Sequence, residues 1–346
     1  MSELLKRTDR LWSGEASTTQ ADFHPFAGPR MLEELAPGVA FYKAWANVTA
    51  VRTAESLVLI DTGSFHPAAH KLGFDAVCHW NGERVHTAVY THGHVDHAYG
   101  LPRMQRYVRT AGYNSIINTS QFGVATQWPV EFQAPTQVYS DALEFSVGAA
   151  RFQLQHAKGE TDDHSWVFLP ETKTLCTGDL FIWAAPNAGN PQKVQRYAVE
   201  WAAALRAMAA LGPELLLPAH GLPIAGAARV QAALLDTAAY LESLVNQTLE
   251  RLNAGETLYE ILEAVRPPAA LEAKPYLKPV YDEPEFIVRN LWRCYGGWHS
   301  GVPSELKPAP QRVNRKRKLS ECRSRPRCCA PSPRGAGRCH LRVGPS

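Results

Sequence analysis

The sequence predicts an α/β fold followed by a small helical module, and two patterns lead to this prediction. The first is a series of short apolar or alternating segments bounded by Gly, Pro or Asp, which is typical of β-strands. The second is a change to apolar residues at helical spacing after Gly226. At 346 residues, of which 45% are hydrophobic, the chain is long enough to bury a large core.

The strand pattern dominates the first half of the chain. Strands are predicted at residues 38–45, 49–52, 57–60, 87–90, 114–118, 151–155, 166–169 and 174–177. The segment 194–211 has apolar residues at helical spacing instead, which predicts a helix with one face packed on a sheet. A further helix is predicted between Gly226 and Gly255. These patterns place one domain at residues 1–225 and a helical module at residues 226–308.

Charge is distributed unevenly along the chain. The net charge is +3, but residues 312–346 hold eleven Lys and Arg and one Glu, whereas residues 1–311 carry a charge of −7. A basic segment rich in Pro, Gly and Cys cannot bury enough apolar surface to fold, which predicts a disordered tail at residues 309–346. The basic run at residues 315–318 is also typical of a nucleic-acid contact. We favour a solvated terminus, so nucleic acid is not an expected partner.

The sequence shows no sign of membrane insertion or secretion. No run of about eighteen apolar residues occurs, so no membrane-spanning helix is predicted. The first seven residues, Met-Ser-Glu-Leu-Leu-Lys-Arg, lack the apolar centre of a secretory signal. We therefore expect a cytoplasmic protein that has no membrane partner.

The most informative segment is residues 91–97, which read Thr-His-Gly-His-Val-Asp-His. His92 and His94 are two residues apart, so at the extended end of a strand both imidazoles point to the same side. Asp96 and His97 follow in the turn, where their side chains can reach a second site. Imidazole and carboxylate groups suit Zn²⁺, and histidine-rich sites without thiolate are usually catalytic. The segment therefore predicts a catalytic metal centre.

Three further segments extend this pattern in a recognisable order. A strand precedes Asp61-Thr62-Gly63, a second apolar strand precedes Asp179, and a third ends at His220. Together with residues 91–97, these segments resemble the metallo-β-lactamase superfamily over residues 38–225. The resemblance implies a four-layer αββα sandwich as the fold of this region.

One position departs from the most common pattern of the superfamily. Glu160 stands where most members have the histidine of a Gly-His-Thr segment. Carboxylates also bind zinc, and the alkylsulfatase-like branch of the superfamily uses glutamate in this part of the site. Asp162, Asp163 and His164 lie close enough in sequence to be alternatives, but we favour Glu160 as the ligand.

A second resemblance points to the same branch. Residues 288–301 read Val-Arg-Asn-Leu-Trp-Arg-Cys-Tyr-Gly-Gly-Trp-His-Ser-Gly. This segment is similar to the end of the helical dimerisation region of alkylsulfatase-like proteins. Ordinary core packing would also explain its aromatic residues, and the two interpretations are compatible. The resemblance implies a homodimer.

The resemblance also implies a ligand set for two divalent metal ions, with zinc expected. Three ligands hold each ion and one side chain bridges them: His92, His94 and Glu160; Asp96, His97 and His220; and, between the ions, Asp179. Two such ions about 4 Å apart can share a water and lower its pKa to roughly 7. The expected nucleophile is therefore a metal-bridging hydroxide, and Asp96 is expected to be essential for turnover. The added charge of Glu160 favours harder metals, so manganese and iron remain alternatives.

The loop after Asp179 is predicted to cover the metals and to contact the substrate. Apolar area, amide groups and two cations near a helix N-terminus are available there, and the cations could hold an anion. A solvated helix face is the alternative for the two cations. The predicted substrate contacts are Trp183, Asn187, Asn190, Lys193 and Arg196.

These features predict a dinuclear metal-dependent hydrolase that acts on a small-molecule ester, with a sulfate ester preferred. A lactone or thioester hydrolase of the same fold is the first alternative, because the apolar part of the loop suits either. A di-iron redox protein is less favoured, because such members usually have glutamate where this chain has His94. A nucleic-acid processing factor is suggested by the basic tail alone.

Overall fold

The computed structural model describes residues 2–54, 56–63, 67–94, 96–97, 115–117, 119–120 and 135–307. The predicted tail at residues 309–346 lies outside the described residues. The chain divides into a first compact unit, Met1–Trp298, and a second unit that begins at His299. In the second unit, a short helix occupies Pro303–Leu306.

The first sheet contains the strands that precede the metal-ligand motif. In spatial order these are β1 (Met31–Ala36), β2 (Val39–Lys43), β3 (Val48–Arg52), β4 (Leu57–Ile60) and β5 (Val85–Val89). Neighbours are antiparallel except for β4 and β5, which are parallel. A parallel pair needs a crossover connection, and helix α2 (Pro67–Trp80) provides it.

The second sheet follows the same scheme later in the chain. Its spatial order is β11 (Ile224–Ala225), β10 (Leu215–Pro218), β9 (Thr174–Gly178), β8 (Ser165–Leu169), β7 (Ala150–His156) and β6 (Ala142–Val147). The pair β9–β10 is parallel and the other pairs are antiparallel. Helix α3 (Ala198–Ala210) makes the crossover between β9 and β10.

Along the sequence, helices precede the first strand and follow the last strand of the two sheets. They comprise α1 (Glu3–Trp12), a 3₁₀ turn (Ala21–Phe23), α4 (Ala227–Asn253), α5 (Leu258–Ala264), α6 (Ala269–Glu272) and α7 (Pro284–Tyr295). Helix α4 packs on α3 and on β10, while α7 packs on α4 and α5. In the described part of the chain, no helix is long and apolar enough to cross a membrane.

Alternation along the strands of the first sheet builds two cores. In β4, Val58 and Ile60 belong to a large core that also contains residues of the second sheet, α3 and α4. The intervening Leu57 and Leu59 face a smaller core that includes Val77 of α2. Because successive strand residues point to opposite faces, each sheet has one helix layer outside and the other sheet inside. This arrangement confirms the four-layer αββα sandwich followed by helices.

Most predicted elements correspond to observed ones within a few residues. The predicted strand at residues 57–60 matches β4, and the helix predicted at 194–211 begins later, at Ala198. The strand predicted at 114–118 is wrong, because residues 115–117 are helical. The boundary predicted between residues 225 and 226 stays a prediction. It falls between β11 and α4, inside the first compact unit.

Candidate metal centre

The candidate site lies where the parallel strands of both sheets end. In the first sheet, β4 leads into Asp61 and β5 leads into the segment with His92 and His94. In the second sheet, β9 leads into Asp179 and β10 into His220. The carboxyl ends of neighbouring parallel strands share one edge of a sheet. The packing of the two sheets therefore gathers side chains that are distant in sequence.

The first group of possible ligands consists of His92, His94, Glu160 and Asp179, whose ligand atoms all lie within 4.8 Å of one another. His92 Nε2 is 4.0 Å from Glu160 Oε2 and 3.9 Å from Asp179 Oδ2. His94 Nδ1 is 3.8 Å from Glu160 Oε1. An ion that makes bonds of about 2.0–2.2 Å fits among atoms with this spacing.

The second group consists of Asp96, His97 and His220, again with ligand atoms within 4.8 Å of one another. Asp96 Oδ2 is 3.5 Å from His97 Nε2 and 3.4 Å from His220 Nε2. Asp179 Oδ1 is 3.5 Å from each of the same two nitrogens. Since its other oxygen faces His92, the carboxylate of Asp179 lies between the two groups, as a bridging ligand would.

Three buried atoms at the centre of the cluster lack hydrogen-bond partners and could act as metal ligands. His97 Nε2, Glu160 Oε2 and Asp179 Oδ1 are buried and have no hydrogen-bond partner. A buried polar atom without a partner is costly, and metal coordination would satisfy all three. The donors are imidazole nitrogens and carboxylate oxygens, which suit zinc and harder divalent cations.

The buried histidines and carboxylates shift one another's protonation. Burial lowers the pKa of His92 and His94 well below the ordinary imidazole range, which favours the neutral form that binds metals. Burial by itself would raise the pKa of Asp96, but His97 and His220 hold it well below the usual range. Burial by itself would lower the pKa of His97, whereas the surrounding carboxylates raise it well above 6.5.

Asp61 orients part of the site, a role that the sequence did not reveal. It accepts hydrogen bonds from Thr91 N at 2.8 Å and from Thr91 Oγ1 at 2.9 Å. Its Oδ2 also lies 3.1 Å from His97 Nδ1. A hydrogen bond at one imidazole nitrogen turns the other toward the metal. The Asp-Thr-Gly segment after β4 was the available signal, but it gave family membership and no function for Asp61.

The last histidine is held in a similar way. His220 Nδ1 hydrogen-bonds to the carbonyl oxygen of Trp45. The turn that carries His220 is fixed by Asn47, whose Nδ2 donates to Pro218 O at 2.9 Å and to Gly221 O at 3.0 Å. The loop between β2 and β3 of the first sheet thus positions a side chain that follows a strand of the second sheet.

In the loop between β7 and β8, Glu160 is the residue that joins the first group. Asp162 is exposed, and His164 Nε2 accepts a hydrogen bond from Asp179 N at 3.1 Å. The imidazole of His164 stacks on that of His92, with ring centroids 4.6 Å apart. His164 therefore supports two possible ligands, and the geometry favours Glu160 among the alternatives. Its assignment as a ligand stays a prediction.

Two residues of the loop after Asp179 contact Glu160. Arg196 Nη1 lies 2.5 Å from Glu160 Oε1 and also donates to Glu160 O at 3.0 Å. Asn187 Nδ2 donates to the same oxygen, Oε1. Arg196 is 2% exposed, so water does not screen this ion pair. The guanidinium charge of Arg196 therefore neutralises the carboxylate charge of Glu160. The prediction that Arg196 and Asn187 bind substrate stays a prediction, but their contacts give both a second role.

Other predicted substrate contacts have different surroundings. Lys193 is half-buried, and its charge helps to lower the pKa of His94, so it lies close to the centre. Asn190 Oδ1 accepts a hydrogen bond from Gln192 N at 3.1 Å, within its own turn. The prediction that Trp183 contacts substrate stays a prediction. Its side chain is 1% exposed, and its indole donates to Leu222 O at 2.7 Å, so it belongs to the core.

Two aromatic residues beside the site were missed from the sequence. The ring of Phe26 lies 4.4 Å from that of His220 and 4.6 Å from that of Tyr281. Both aromatic residues are half-buried. They come from segments more than two hundred residues apart, and no local pattern marks them as neighbours.

Comparison with known families gives two matches along the chain. Residues 46–220 match the Metallo-beta-lactamase superfamily, and residues 257–323 match a region described as Alkyl sulfatase dimerisation. The first match contains all seven possible metal ligands. The second begins at the capping residue of α5 and includes α7.

Individual relatives agree with these matches. The chain is 24% identical to a linear primary-alkylsulfatase of Pseudomonas sp. over 75% of this chain and 57% of that protein. It is 28% identical to an atrochrysone carboxyl ACP thioesterase of Cryptosporiopsis sp. over 57% of this chain and 55% of that protein. The chain therefore spans only slightly more than half the length of these relatives.

A solved structure supports the fold. The stereoselective inverting sec-alkylsulfatase from Pseudomonas sp. superposes with a TM-score of 0.72 at 21% identity. The superposition covers 84% of this chain and 54% of that one. The superfamily match spans just over half of the sequence and contains the whole ligand cluster. The chain belongs to the metallo-beta-lactamase superfamily.

Proposed function

We propose that this protein is a dinuclear metal-dependent hydrolase that acts on sulfate esters of small organic molecules. The observation that carries the proposal is the pair of ligand groups that face each other across Asp179. The similarity to a linear primary-alkylsulfatase and the dimerisation-region match support a sulfate ester as substrate. Hydrolysis adds one water across the ester and releases an alcohol and hydrogen sulfate.

The proposed ligands are the residues of the two groups. His92, His94 and Glu160 would hold one ion, Asp96, His97 and His220 the other, and Asp179 would bridge them. When bound, two divalent ions act as Lewis acids toward an ester oxygen and make water nucleophilic near neutral pH. Because Arg196 neutralises the charge of Glu160, that charge no longer favours harder metals, and we propose zinc.

Residues around the ligands would bind and orient the ester. Lys193 is the proposed cation for the sulfate group, since its half-buried ammonium is close enough to His94 to help lower the pKa of that imidazole. Burial lowers the pKa of Lys193 itself, and the charge of Asp96 opposes this shift. Phe26 and Tyr281 offer apolar ring surface beside His220 for the organic group. Asp61 keeps His97 in one orientation by its hydrogen bond. The charged sulfate group and the apolar organic group of the substrate would thus contact different sides of the site.

A thioester hydrolase is the second candidate. The similarity to an acyl-carrier-protein thioesterase over 198 residues favours it, because that alignment also covers more than half of both chains. A thioester has no anionic group at the bond that is cleaved, so Lys193 would have no obvious partner in such a substrate. The sulfate ester therefore remains the preferred substrate.

We also propose that the protein forms a homodimer. The match of residues 257–323 to an alkyl sulfatase dimerisation region supports this assembly. A pair related by twofold symmetry is also the most common oligomer among proteins.

The proposal is tested by turnover of a substrate panel with metal-loaded protein and Asp96→Asn. The panel contains a sulfate ester, a phosphate ester, a lactone and a thioester with matched organic groups. Asn keeps the shape of Asp96 but loses the charge, so we expect sulfate ester turnover to fall by more than the roughly 10–100-fold typical of outer-sphere changes. The control is Asp162→Asn, which changes an exposed carboxylate in the loop of Glu160 and should retain full activity.

Two results would count against this proposal, one against its mechanism and one against its substrate. Full turnover after exhaustive removal of metal would exclude the dinuclear mechanism. Faster turnover of the thioester than of the sulfate ester would favour the second candidate instead.

A further inference from the structure

The side chain of Asn290, in helix α7, pairs with the backbone of Arg196. Asn290 Oδ1 accepts a hydrogen bond from Arg196 N at 3.3 Å, and Asn290 Nδ2 donates to Arg196 O at 2.9 Å. Asn290 is 5% exposed, and Arg196 is 2% exposed. One carboxamide therefore satisfies both backbone polar groups of a buried residue, and only Asn and Gln side chains offer a donor and an acceptor in this form.

Neighbouring contacts strengthen this pairing. Arg293 Nη2 donates to Asn290 Oδ1 at 3.1 Å, and Arg293 Nε donates to Gln195 Oε1 at 3.0 Å. Gln195 Nε2 in turn donates to Asn290 O at 3.2 Å. Residues 195 and 196 thus form hydrogen bonds to α7 through both side-chain and backbone groups.

The preceding part of the same loop is also fixed to the helical region. Asp282 Oδ2 accepts a hydrogen bond from Gly189 N at 2.8 Å, and Ala185 N donates to Lys278 O at 2.9 Å. Gly189 is so close to α7 that an added Cβ would lie 2.1 Å from the backbone carbon of Phe286. The loop after Asp179 therefore contacts residues 278–293 at four of its positions, 185, 189, 195 and 196.

The side chains of Arg196 and Asn187 both contact the same carboxylate oxygen of Glu160. Both donate to Oε1, whereas Oε2 is buried without a hydrogen-bond partner and lies 4.0 Å from His92 Nε2. A carboxylate with one oxygen held in this way presents the other in a fixed direction. If Arg196 moved, Glu160 would be a buried charge without its partner.

We propose that Asn290 is a positioning residue for the first metal site: it fixes the backbone of Arg196, whose guanidinium neutralises and orients Glu160. This inference rests on the proposed function, because it assigns Glu160 as a metal ligand. It gives the helical region a second role. Besides the proposed dimerisation, α7 completes the site by supporting the loop that contacts Glu160.

The test is calorimetric titration of Zn²⁺ into metal-free protein, with Asn290→Leu, Glu160→Gln and the double variant. Leucine has a similar size and no polar group. We expect Asn290→Leu to weaken one of two zinc sites by about 10–100-fold, as outer-sphere partners do. Glu160→Gln should weaken the same site. Because Asn290 acts through Glu160, the double variant should bind zinc no more weakly than Glu160→Gln alone.

The matched control is Arg289→Leu, a change at an exposed position next to Asn290 on the same helix, which should leave both sites intact. Unchanged zinc affinities in Asn290→Leu, or losses that simply add in the double variant, would overturn the positioning role. If Asn290→Leu does not fold, Asn290→Asp, which keeps the acceptor but not the donor, decides the question by the same criteria. A wild-type protein without two zinc sites would refute the proposed function instead.

Discussion

At the scale of single residues, His92 and His97 have opposite electrostatic roles although their ring centroids are 4.2 Å apart. Burial lowers the pKa of His92, and the neighbouring His97 lowers it further. Burial opposes protonation of His97 as well, but three carboxylates raise its pKa well above 6.5, namely Asp179, Asp96 and Asp61. In the metal-free protein these carboxylates therefore favour the protonated form of His97, whereas burial favours the neutral form of His92.

This difference predicts that metal binding releases a proton. A metal ion at His97 Nε2 must displace the proton, so metal affinity should rise as pH rises through the raised pKa of His97. Zinc titrations at pH 7 in buffers with different ionisation enthalpies should show release of about one proton from this residue. Asp61→Asn, which removes one of the charges that raise this pKa, should release less. Equal heats in all buffers would contradict the protonation state assigned to His97.

The sequence indicated the possible ligands because each lies in a short segment that resembles the superfamily pattern, but it could not indicate the residues that hydrogen-bond to them. His92, His94 and Glu160 were each found from a short segment. The pairing of Glu160 with Arg196 joins residues thirty-six positions apart, and only the folded chain brings them together. The burial of Trp183 was not predictable from the sequence, because an apolar residue in a loop can face either the substrate or the core.

At the scale of elements, buried strands were easier to predict than edge strands and terminal helices. β4 is apolar throughout and was predicted with its observed bounds. β1 contains two glutamates and is only partly buried at the edge of its sheet, so its pattern did not stand out. Helix α1 was missed for a related reason, since most of its residues are polar and only one face is buried.

Helix α5 offers a test at this scale, because its N-terminus has a capping box. Thr257 accepts a hydrogen bond from Glu260 N, and Glu260 Oε2 accepts one from Thr257 N at 2.7 Å. Thr257→Ala should lower the free energy of unfolding by about 1 kcal/mol, measured by chemical denaturation. Thr257→Ser keeps the cap and serves as the control. A loss of zinc binding in Thr257→Ala would show that α5 has a role beyond stability.

At the scale of the whole molecule, the two sheets and the helices between residues 227 and 295 share one large core. Leu216 of β10, Leu205 of α3 and Leu241 of α4 all belong to it. The layered fold was predictable from the resemblance, but the extent of this shared core was not. Amphipathic helices have the same pattern whether they cover a sheet of their own unit or a neighbouring domain. The contacts of α7 with the loop after Asp179 are a consequence of this packing.

The central claim is that two metal ions lie on either side of Asp179, and metal-edge anomalous diffraction from crystals of zinc-loaded protein tests it most directly. We predict two anomalous peaks, one among the ligand atoms of His92, His94 and Glu160, the other among those of the second group. Both should adjoin the carboxylate of Asp179. A single peak, or peaks that lie away from these side chains, would contradict the dinuclear site.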